Sequence, residues 1–480
     1  MRIAIVGGGI AGLAAAYELE LARCAGASVE YDLYDAGPRL GGVVSSALVD
    51  GTVIEHGPDS FLTEKPAAAE LCRELGLESH LIASNDAERK TFILVRSRLV
   101  ALPDGLMFLV PTKLLPMVFT PLFGWWTKLR MALELMRGPR PHSEDESVAE
   151  LIRRHYGQQA VDRLADPLLS GIYGGEAAQL SARAVLPRLV EMEAKYGSLT
   201  RGMLAGVRAR KIEAERAAAE SEDGEAPPPK PLFTTLRFGL QQMVDALVAR
   251  LDARRLHVSA PVLGVGRDGD GWLVDAAGLV ERFDAVVVAT PAWAAAEFLR
   301  PADAALSEEL EQIPYSSSVT MNLVYDGTDL DPLPQGFGFL VPAVEGRSIL
   351  ACTFIHRKFS GRTAPGKSVL RAFLGGAHHA ELLAETDETL EHLVRKELFE
   401  ILRISAVPEM VEVRRWPRAM AQYAVGHRER QQRIQERVAA LPGLRLAGNA
   451  YDGIGISDCI RLGRKAAREL ANLRSKVPQP

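Results

Sequence analysis

The apolar run Ile3-Ala4-Ile5-Val6 passes directly into Gly7-Gly8-Gly9-Ile10-Ala11-Gly12. This junction constrains the fold more than any other feature of the chain. The run has the pattern of a strand buried on both faces of a parallel sheet. Residues 13–19 follow with a helix pattern, and residues 29–34 read as a second strand ending at Asp35. In such a unit Gly7 permits the tight turn, Gly9 lets a pyrophosphate approach the backbone, and Gly12 permits close packing of helix on strand. The helix start at Ile10 and Ala11 offers free N–H groups and a positive dipole end to phosphate. Asp35 follows Gly12 by 23 residues, where a carboxylate can hydrogen-bond a ribose diol. Strand, glycine turn, helix, second strand and acid together predict dinucleotide binding.

The residues after Asp35 narrow the dinucleotide. Gly37-Pro38-Arg39-Leu40-Gly41-Gly42 places a cation, Arg39, and flexible backbone, Gly41 and Gly42, beside the diphosphate. This extension resembles the FAD site of the amine-oxidase-like flavoprotein superfamily, in which the acid is usually glutamate rather than the shorter Asp35. A site for NAD alone does not need it. Further along, residues 255–265 read as one strand containing Val262, Asp268-Gly269-Asp270-Gly271 as a hairpin turn, and residues 283–290 as another buried strand. In two-dinucleotide-fold flavoproteins this return segment closes over the adenosine half. Residues 444–449 read as a strand. A glycine-containing loop and a helix bearing Arg461, Arg464, Lys465 and Arg468 come next. That helix start could stabilise negative charge developing on a flavin ring, or the segment could be a strand–loop–helix that merely closes the sheet.

Several further pieces give the whole chain a resemblance to the oxygen-dependent protoporphyrinogen and coproporphyrinogen oxidases. They are Glu55-His56-Gly57-Pro58-Asp59-Ser60-Phe61, Ser170-Gly171-Ile172-Tyr173-Gly174-Gly175, Gly336-Phe337-Gly338-Phe339-Leu340-Val341-Pro342, Arg415-Trp416-Pro417 with Gln422-Tyr423, and residues 449–459. The resemblance implies non-covalent FAD lined also by Gly57, Pro58, Asp59, Ser60, Val262, Trp416, Ile454, Gly455 and Ile456. It implies a porphyrinogen pocket walled by Gly175, Leu340 and Phe354. Thr91 stands where some eukaryote-like members carry an arginine, with Arg89, Lys90, Arg96 and Arg98 nearby. The implied reaction is three two-electron oxidations of protoporphyrinogen IX, with O2 reoxidising the flavin to give hydrogen peroxide. Coproporphyrinogen III is the alternative substrate. A flavin amine oxidase, with Trp416 and Tyr423 at the flavin face, a carotenoid desaturase, and a non-enzymatic flavin-binding membrane scaffold stay open as other classes. No hydrolytic constellation is evident and no catalytic side chain is assigned, so the redox step falls to the flavin.

At 480 residues, a prior of about 150 residues per domain suggests three. The net charge of −5 argues against nucleic-acid binding through charge. Four separated cysteines without a CxxC pair support neither a zinc knuckle nor a disulfide framework. No metal is expected, and His378-His379, read as strand neighbours, would point to opposite faces. With no signal-peptide pattern at the start, a reducing, cytoplasmic setting is expected. Residues 106–140 are rich in Leu, Met, Phe and Trp, but Pro111, Pro116 and Pro121 interrupt them. There Lys113, Lys128, Arg130, Arg137 and Arg140 face one acid, Glu134. This cannot span as one helix and suits either a helical core or peripheral contact with an anionic membrane surface, here the cytoplasmic face.

The expected architecture is a multidomain α/β and α+β fold. A Rossmann-like FAD-binding domain comprises residues 1–84, 232–300 and 436–475. A mainly helical, membrane-associating domain is inserted over 85–207, a flexible loop occupies 208–231, and a mixed-sheet substrate domain covers 301–435. The sequence leaves both monomer and homodimer open.

Overall fold

The computed structural model describes residues 1–107, 109–140, 144–220, 230–330 and 333–472. Residues 473–475 of the expected FAD domain, 221–229 of the expected loop and Phe108 of the apolar segment lie outside them. The first layer is a five-stranded sheet centred on Arg2–Val6. Glu30–Tyr34 and then Leu256–His257 lie to one side, Ala285–Val288 and then Leu444–Leu446 to the other. Every neighbouring pair is parallel. Ile3, Ile5 and Val287 pack toward the helices Ile10–Cys24 and Ile456–Asn472. Ala4, Val6, Val286 and Val288 pack the other way. Both faces of the central strands are covered, so residues 3–6 and Ala285–Val288 read as unbroken apolar runs. The two helices touch so closely that a Cβ on Gly463 would stand 2.0 Å from the carbonyl oxygen of Ala11.

The single strand expected over 255–265 is two strands in two sheets. After Leu256–His257 the chain turns through Ser259, at φ +52°. Pro261 has no N–H to continue the ladder. Val262 then opens a separate antiparallel sheet, Val262–Asp268, Gly271–Ala276 and Leu279–Phe283. Its Trp272, Val274 and Phe283 cover the second face of the parallel sheet. The strand expected over 444–449 stops at Leu446.

A seven-stranded mixed sheet forms the second body. Its order is Met410–Ala421, Tyr315–Asp326, Lys367–Gly375, Ile349–Phe354, Gly338–Leu340, Thr91–Val95 and Arg98–Ala101. Residues 91–101, expected in the helical insertion, therefore belong to this sheet. Their alternation explains why: Phe92 and Leu94 pack on one face and Ile93 and Val95 on the other, which suits a strand covered on both sides. Leu94, Phe339, Cys352, Phe354, Leu370 and Ala372 pack under the helix Asp387–Leu402 through Leu390, Val394 and Leu398.

Against the opposite face lies a helical cluster that includes Val148–Tyr156, Asp166–Tyr173, Pro187–Tyr196 and Leu199–Glu220. Val148–Tyr156 starts with a capping box between Ser147 and Glu150, a device worth about 1 kcal/mol. Residues 208–220, expected as loop, continue the helix Leu199–Glu220. Their Ala, Arg, Lys and Glu are strong helix formers. Among the described residues no helix is long and apolar enough to cross a membrane.

Candidate active site

The glycine turn after Arg2–Val6 forms one end of the site. Gly7 adopts φ +104°. A Cβ on Gly12 would meet the Gly7 carbonyl oxygen at 1.8 Å, whereas a Cβ on Gly9 would meet nothing within 4 Å. Gly12 is therefore required by packing, and Gly9 leaves open space at the helix start. The second glycine loop is tied to the first. Gly41 N–H donates to the Gly8 carbonyl at 2.8 Å, and a Cβ on Gly42 would lie 3.2 Å from Gly9 Cα. Asp35 receives the N–H of Gly8 at 2.6 Å and of Gly37 at 2.7 Å. Its carboxylate holds the loop closed, and its remaining lone pairs are still available to a diol. Arg39 donates to the carbonyls of Leu40, Val44 and Gly42, with no carboxylate in ion-pair range among the described residues. The Thr290 hydroxyl, beside Gly7, is buried and has no protein partner. Open space at Gly9, an unpaired arginine and an orphan hydroxyl fit a cradle for the phosphate end of a dinucleotide.

The middle of the site is the segment from Glu55 to Ser60, which is gripped by the large sheet. Asn322 donates to the Glu55 carbonyl at 3.0 Å. Thr320 and the Trp416 indole donate to the His56 carbonyl at 2.8 and 2.9 Å. Arg371 donates to the Gly57 carbonyl. Asp59 pairs with Lys358 at 3.0 Å, and Glu55 pairs with the fully buried Arg362. Burial raises the Asp59 pKa, but Lys358 and Arg371 outweigh it and hold the carboxyl well below its usual range. Ser60 gives its hydroxyl proton to Asp59 at 2.6 Å. Burial, with the Arg414 charge, depresses the His56 pKa, so the ring is neutral at pH 7. Gly57 is obligatory here, since its Cβ would lie 1.8 Å from the Val43 carbonyl oxygen. These contacts make Glu55 to Ser60 the joint between the two bodies.

At the far end, the loop before Ile456–Asn472 is held by Tyr423. Its hydroxyl donates to the Asn449 carbonyl and accepts from Gly453 N–H, both at 2.9 Å. Ile454 and Gly455 lead into the helix at Ile456. Asp458, in the first helical turn, lies 3.3 Å from Gly455 N–H and pairs with Lys65 at 2.6 Å. The helix start is therefore not a bare positive end; a lysine–aspartate pair is built into it. Val262 lies apart from this loop, at the entry to the three-stranded sheet.

The expected pocket walls divide between two faces. Leu340 and Thr91 share one face of the large sheet, by the register Leu340↔Ile93 and Gly338↔Thr91. Leu340 also approaches the end of Asp166–Tyr173, with its Cδ2 3.2 Å from where a Gly171 Cβ would stand. Gly175 lies beside that helix end, against Gln422, which donates to the Tyr173 carbonyl at 2.6 Å. Phe354 does not join them. Leu340 pairs with Ala351, and strand alternation turns Phe354, three residues on, to the opposite face. There it is fully buried against Phe339 and the core under Asp387–Leu402. Its expected place in the pocket is corrected to a place in the core.

Residues overlooked in the sequence occupy the face that Phe354 lacks. Arg371 and Phe373 share a parity on Lys367–Gly375, and Phe373 pairs across to Ala351 on one side and Thr320 on the other. A lone arginine inside the apolar run Ser368-Val369-Leu370-Arg371-Ala372-Phe373-Leu374 was the available signal. His378 and His379 lie beyond the end of this strand, in a turn. His378 faces Asp166 at 3.7 Å and Glu176 at 3.5 Å, and His379 faces Glu381 at 3.2 Å. No group of three or more His, Cys, Asp or Glu among the described residues is placed to hold a metal ion.

The fold and the glycine cradle place the chain in a class: it belongs to the flavin containing amine oxidoreductase family, which matches residues 10–471. It is an oxidoreductase whose cofactor is FAD. Among its relatives is the coproporphyrinogen III oxidase of Bacillus subtilis, 32% identical over 98% of this chain and 97% of the relative. The protoporphyrinogen oxidase of Homo sapiens is 31% identical over 97% of each chain. A solved Exiguobacterium sp. 255-15 structure, provisionally described as a protoporphyrinogen oxidase, is 33% identical, covers 98% of both chains and superposes with a TM-score of 0.84. Cyclohexylamine oxidase from Brevibacterium oxydans, at 17% identity and TM-score 0.69, shares the fold.

Proposed function

We propose that this chain oxidises a porphyrinogen to the corresponding porphyrin with O2 as electron acceptor. Full-length similarity to porphyrinogen oxidases at 31–34% identity carries the reading. Bound FAD supplies hydride acceptance and reoxidation by oxygen. Gly7, Gly8, Gly9, Ile10, Ala11, Gly12, Asp35, Arg39, Gly41 and Gly42 hold its phosphate and ribose end. Gly57, Pro58, Asp59, Ser60, Trp416, Ile454, Gly455 and Ile456 line the rest, with Val262 toward the adenosine end. Leu340, Thr91, Gly175 and Phe373 form the apolar side that orients a flat, mostly apolar macrocycle. The distant fold neighbours that act on amines support the shared scaffold rather than an amine substrate.

Two substrates fit, and one observation favours coproporphyrinogen III as a second reading beside protoporphyrinogen IX. Arg89 and Lys90 are exposed immediately before Thr91, and Arg96 and Arg98 are exposed at the other end of the same strand and its hairpin turn. Four propionates need more cations than two. Porphyrin fluorescence appearing when the FAD-loaded protein meets each porphyrinogen in air, with oxygen uptake followed in parallel, tests both readings. Activity with neither substrate, from a folded yellow protein, removes them.

The reading extends to a membrane surface. On Trp125–Glu134, Trp125, Trp126, Leu129 and Leu133 point to solvent on one side, while Met131 and Glu134 point inward. Leu115, Val118 and Phe119 of the preceding helix Leu114–Phe119 are exposed beside them. Lys113, Arg130 and Arg140 are also exposed in this region. Such an apolar face with cations at its rim fits peripheral contact with an anionic bilayer.

A further inference from the structure

At the joint between the two bodies, the buried Arg371 has no carboxylate within ion-pair distance among the described residues, and Asp59 and Glu55 act on it only at longer range. Arg371 is 2% exposed. One Nη donates to the Gly57 carbonyl and, at 3.4 Å, to the His56 carbonyl. Its Cζ lies 5.0 Å from the Phe373 ring centroid. Its Nε is buried without a partner. The acids around it are engaged elsewhere: Glu55 with Arg362, Asp59 with Lys358 at 3.0 Å, and Glu412 with Arg414 at 2.6 Å. His56, 3.4 Å from Glu412, is depressed and neutral. Three carboxylates thus face four cations among the described residues. A buried guanidinium without a counter-charge is strongly unfavourable unless something negative joins it.

We propose that Arg371 is the charge-balancing residue for the flavin, stabilising the negative charge that the ring gains on reduction. This rests on the proposed placement of Gly57, Asp59 and Trp416 along the FAD. Arg371 donates to the His56 and Gly57 carbonyls and Trp416 to that of His56, so the cation stands directly behind that lining. Hydride transfer delivers two electrons and one proton, which leaves the ring one net negative charge. A fixed, desolvated cation aimed at the place where charge develops stabilises the reduced form with no reorganisation. The arginine's excess charge costs stability in the oxidised protein and is relieved when the ring is reduced.

The test uses the FAD-loaded full chain and two readouts besides turnover: the two-electron midpoint potential, and the affinity for sulfite, which adds to the flavin and leaves the same negative charge on the ring. Arg371→Gln is expected to weaken sulfite binding about tenfold and to lower the potential by about 30 mV, the two-electron equivalent of a tenfold change. Arg371→Lys, which keeps the charge and loses the fork, is expected to restore most of both. Should Arg371→Gln fail to fold, Thr353→Asp gives the same information. Thr353 pairs directly with Arg371 across the sheet, so an aspartate there neutralises the cation in place and is expected to lower the potential similarly. Trp416→Phe serves as the reporter of ring placement through its effect on the flavin spectrum. A changed spectrum with Trp416→Phe, but an unchanged potential and sulfite affinity with Arg371→Gln or Thr353→Asp, overturns the role of Arg371 alone. No effect from any of these variants overturns the placement of the flavin as well.

Discussion

Gly9 and Gly12 lie three residues apart in one glycine turn and stand in opposite relation to their surroundings. The missing Cβ of Gly12 would sit 1.8 Å from the Gly7 carbonyl oxygen, while that of Gly9 would touch nothing within 4 Å. Gly12 is closed by the protein's own backbone, whereas Gly9 faces open space, where the proposed site would receive the FAD phosphates.

Gly9→Val is therefore expected to fold normally and to lose FAD. Its thermal midpoint should stay within a few degrees of the FAD-free parent's, and the purified protein should lack visible flavin absorbance. Gly12→Val should instead lose stability by about 3 kcal/mol or more, since backbone cannot yield to the added side chain. Thermal melts with a flavin-content measurement on each variant check the contrast. A yellow Gly9→Val protein would contradict it.

Leu340 and Phe354 lie on opposite faces of the large sheet, so the proposed substrate role of the one and the core role of the other can be tested separately. Phe354→Ala is expected to cost about 3–5 kcal/mol in unfolding free energy, as a large-to-small change in a dry core, with FAD content and KM for porphyrinogen unchanged in the folded fraction. Leu340→Ala is expected to lower kcat/KM for porphyrinogen about tenfold. Denaturant titration and steady-state kinetics on both variants read the difference. Reversed assignments would place Phe354 in the pocket after all.

His155 is expected to make the stability of the helical body depend on pH. It is fully buried, with Nδ1 2.9 Å from Glu134 and Nε2 2.9 Å from Glu193. Arg154, Glu146, Ser198 and Tyr156 complete its surroundings. Burial alone would depress the imidazole, but its bonds to Glu134 and Glu193 outweigh that and raise its pKa above the usual value. A raised folded pKa means stabilisation that is complete below about pH 6.5, the unfolded value, and is lost as pH rises through the folded value. Glu134 acts inversely: burial raises its pKa, the bonds from His155 and Ser198 outweigh this, and its net depression loses stability in acid. Stability should thus fall on the alkaline side in the parent, and His155→Gln should remove that slope while lowering stability throughout. Chemical denaturation across pH 5 to 9 would show it. A parallel offset between parent and variant at every pH would refute the linkage.

The exposed side of Trp125–Glu134 predicts vesicle binding. The FAD-loaded protein is expected to sediment with anionic phospholipid vesicles at low salt, and Trp125→Glu with Trp126→Glu to abolish this without changing porphyrinogen turnover in detergent. Absence of parent binding at low salt would remove the membrane reading.

Much of the dinucleotide half was legible along the chain because its determinants are local. The apolar run 3–6, the glycines and Asp35 lie within 35 consecutive residues, and turn geometry, strand burial and helix start each follow from neighbours in sequence. Resemblance along the rest of the chain indicated the flavin and the porphyrinogen. The division of the large sheet into a core face and a site face was not legible, because parity has meaning only once partners and register are known. Only the register sets Phe354 on the core face and Arg371 and Phe373 on the other. The split of 255–265 between two sheets, and the capture of 91–101 by strands more than 200 residues distant, depend likewise on pairings that no local pattern encodes. Which glycine is closed and which is open, and which arginine is left without a carboxylate in ion-pair contact, are properties of atoms brought together from Gly7, Glu55, Lys358, Arg371 and Trp416. Composition and spacing supplied the chemistry of these groups; long-range packing selected which of them meet.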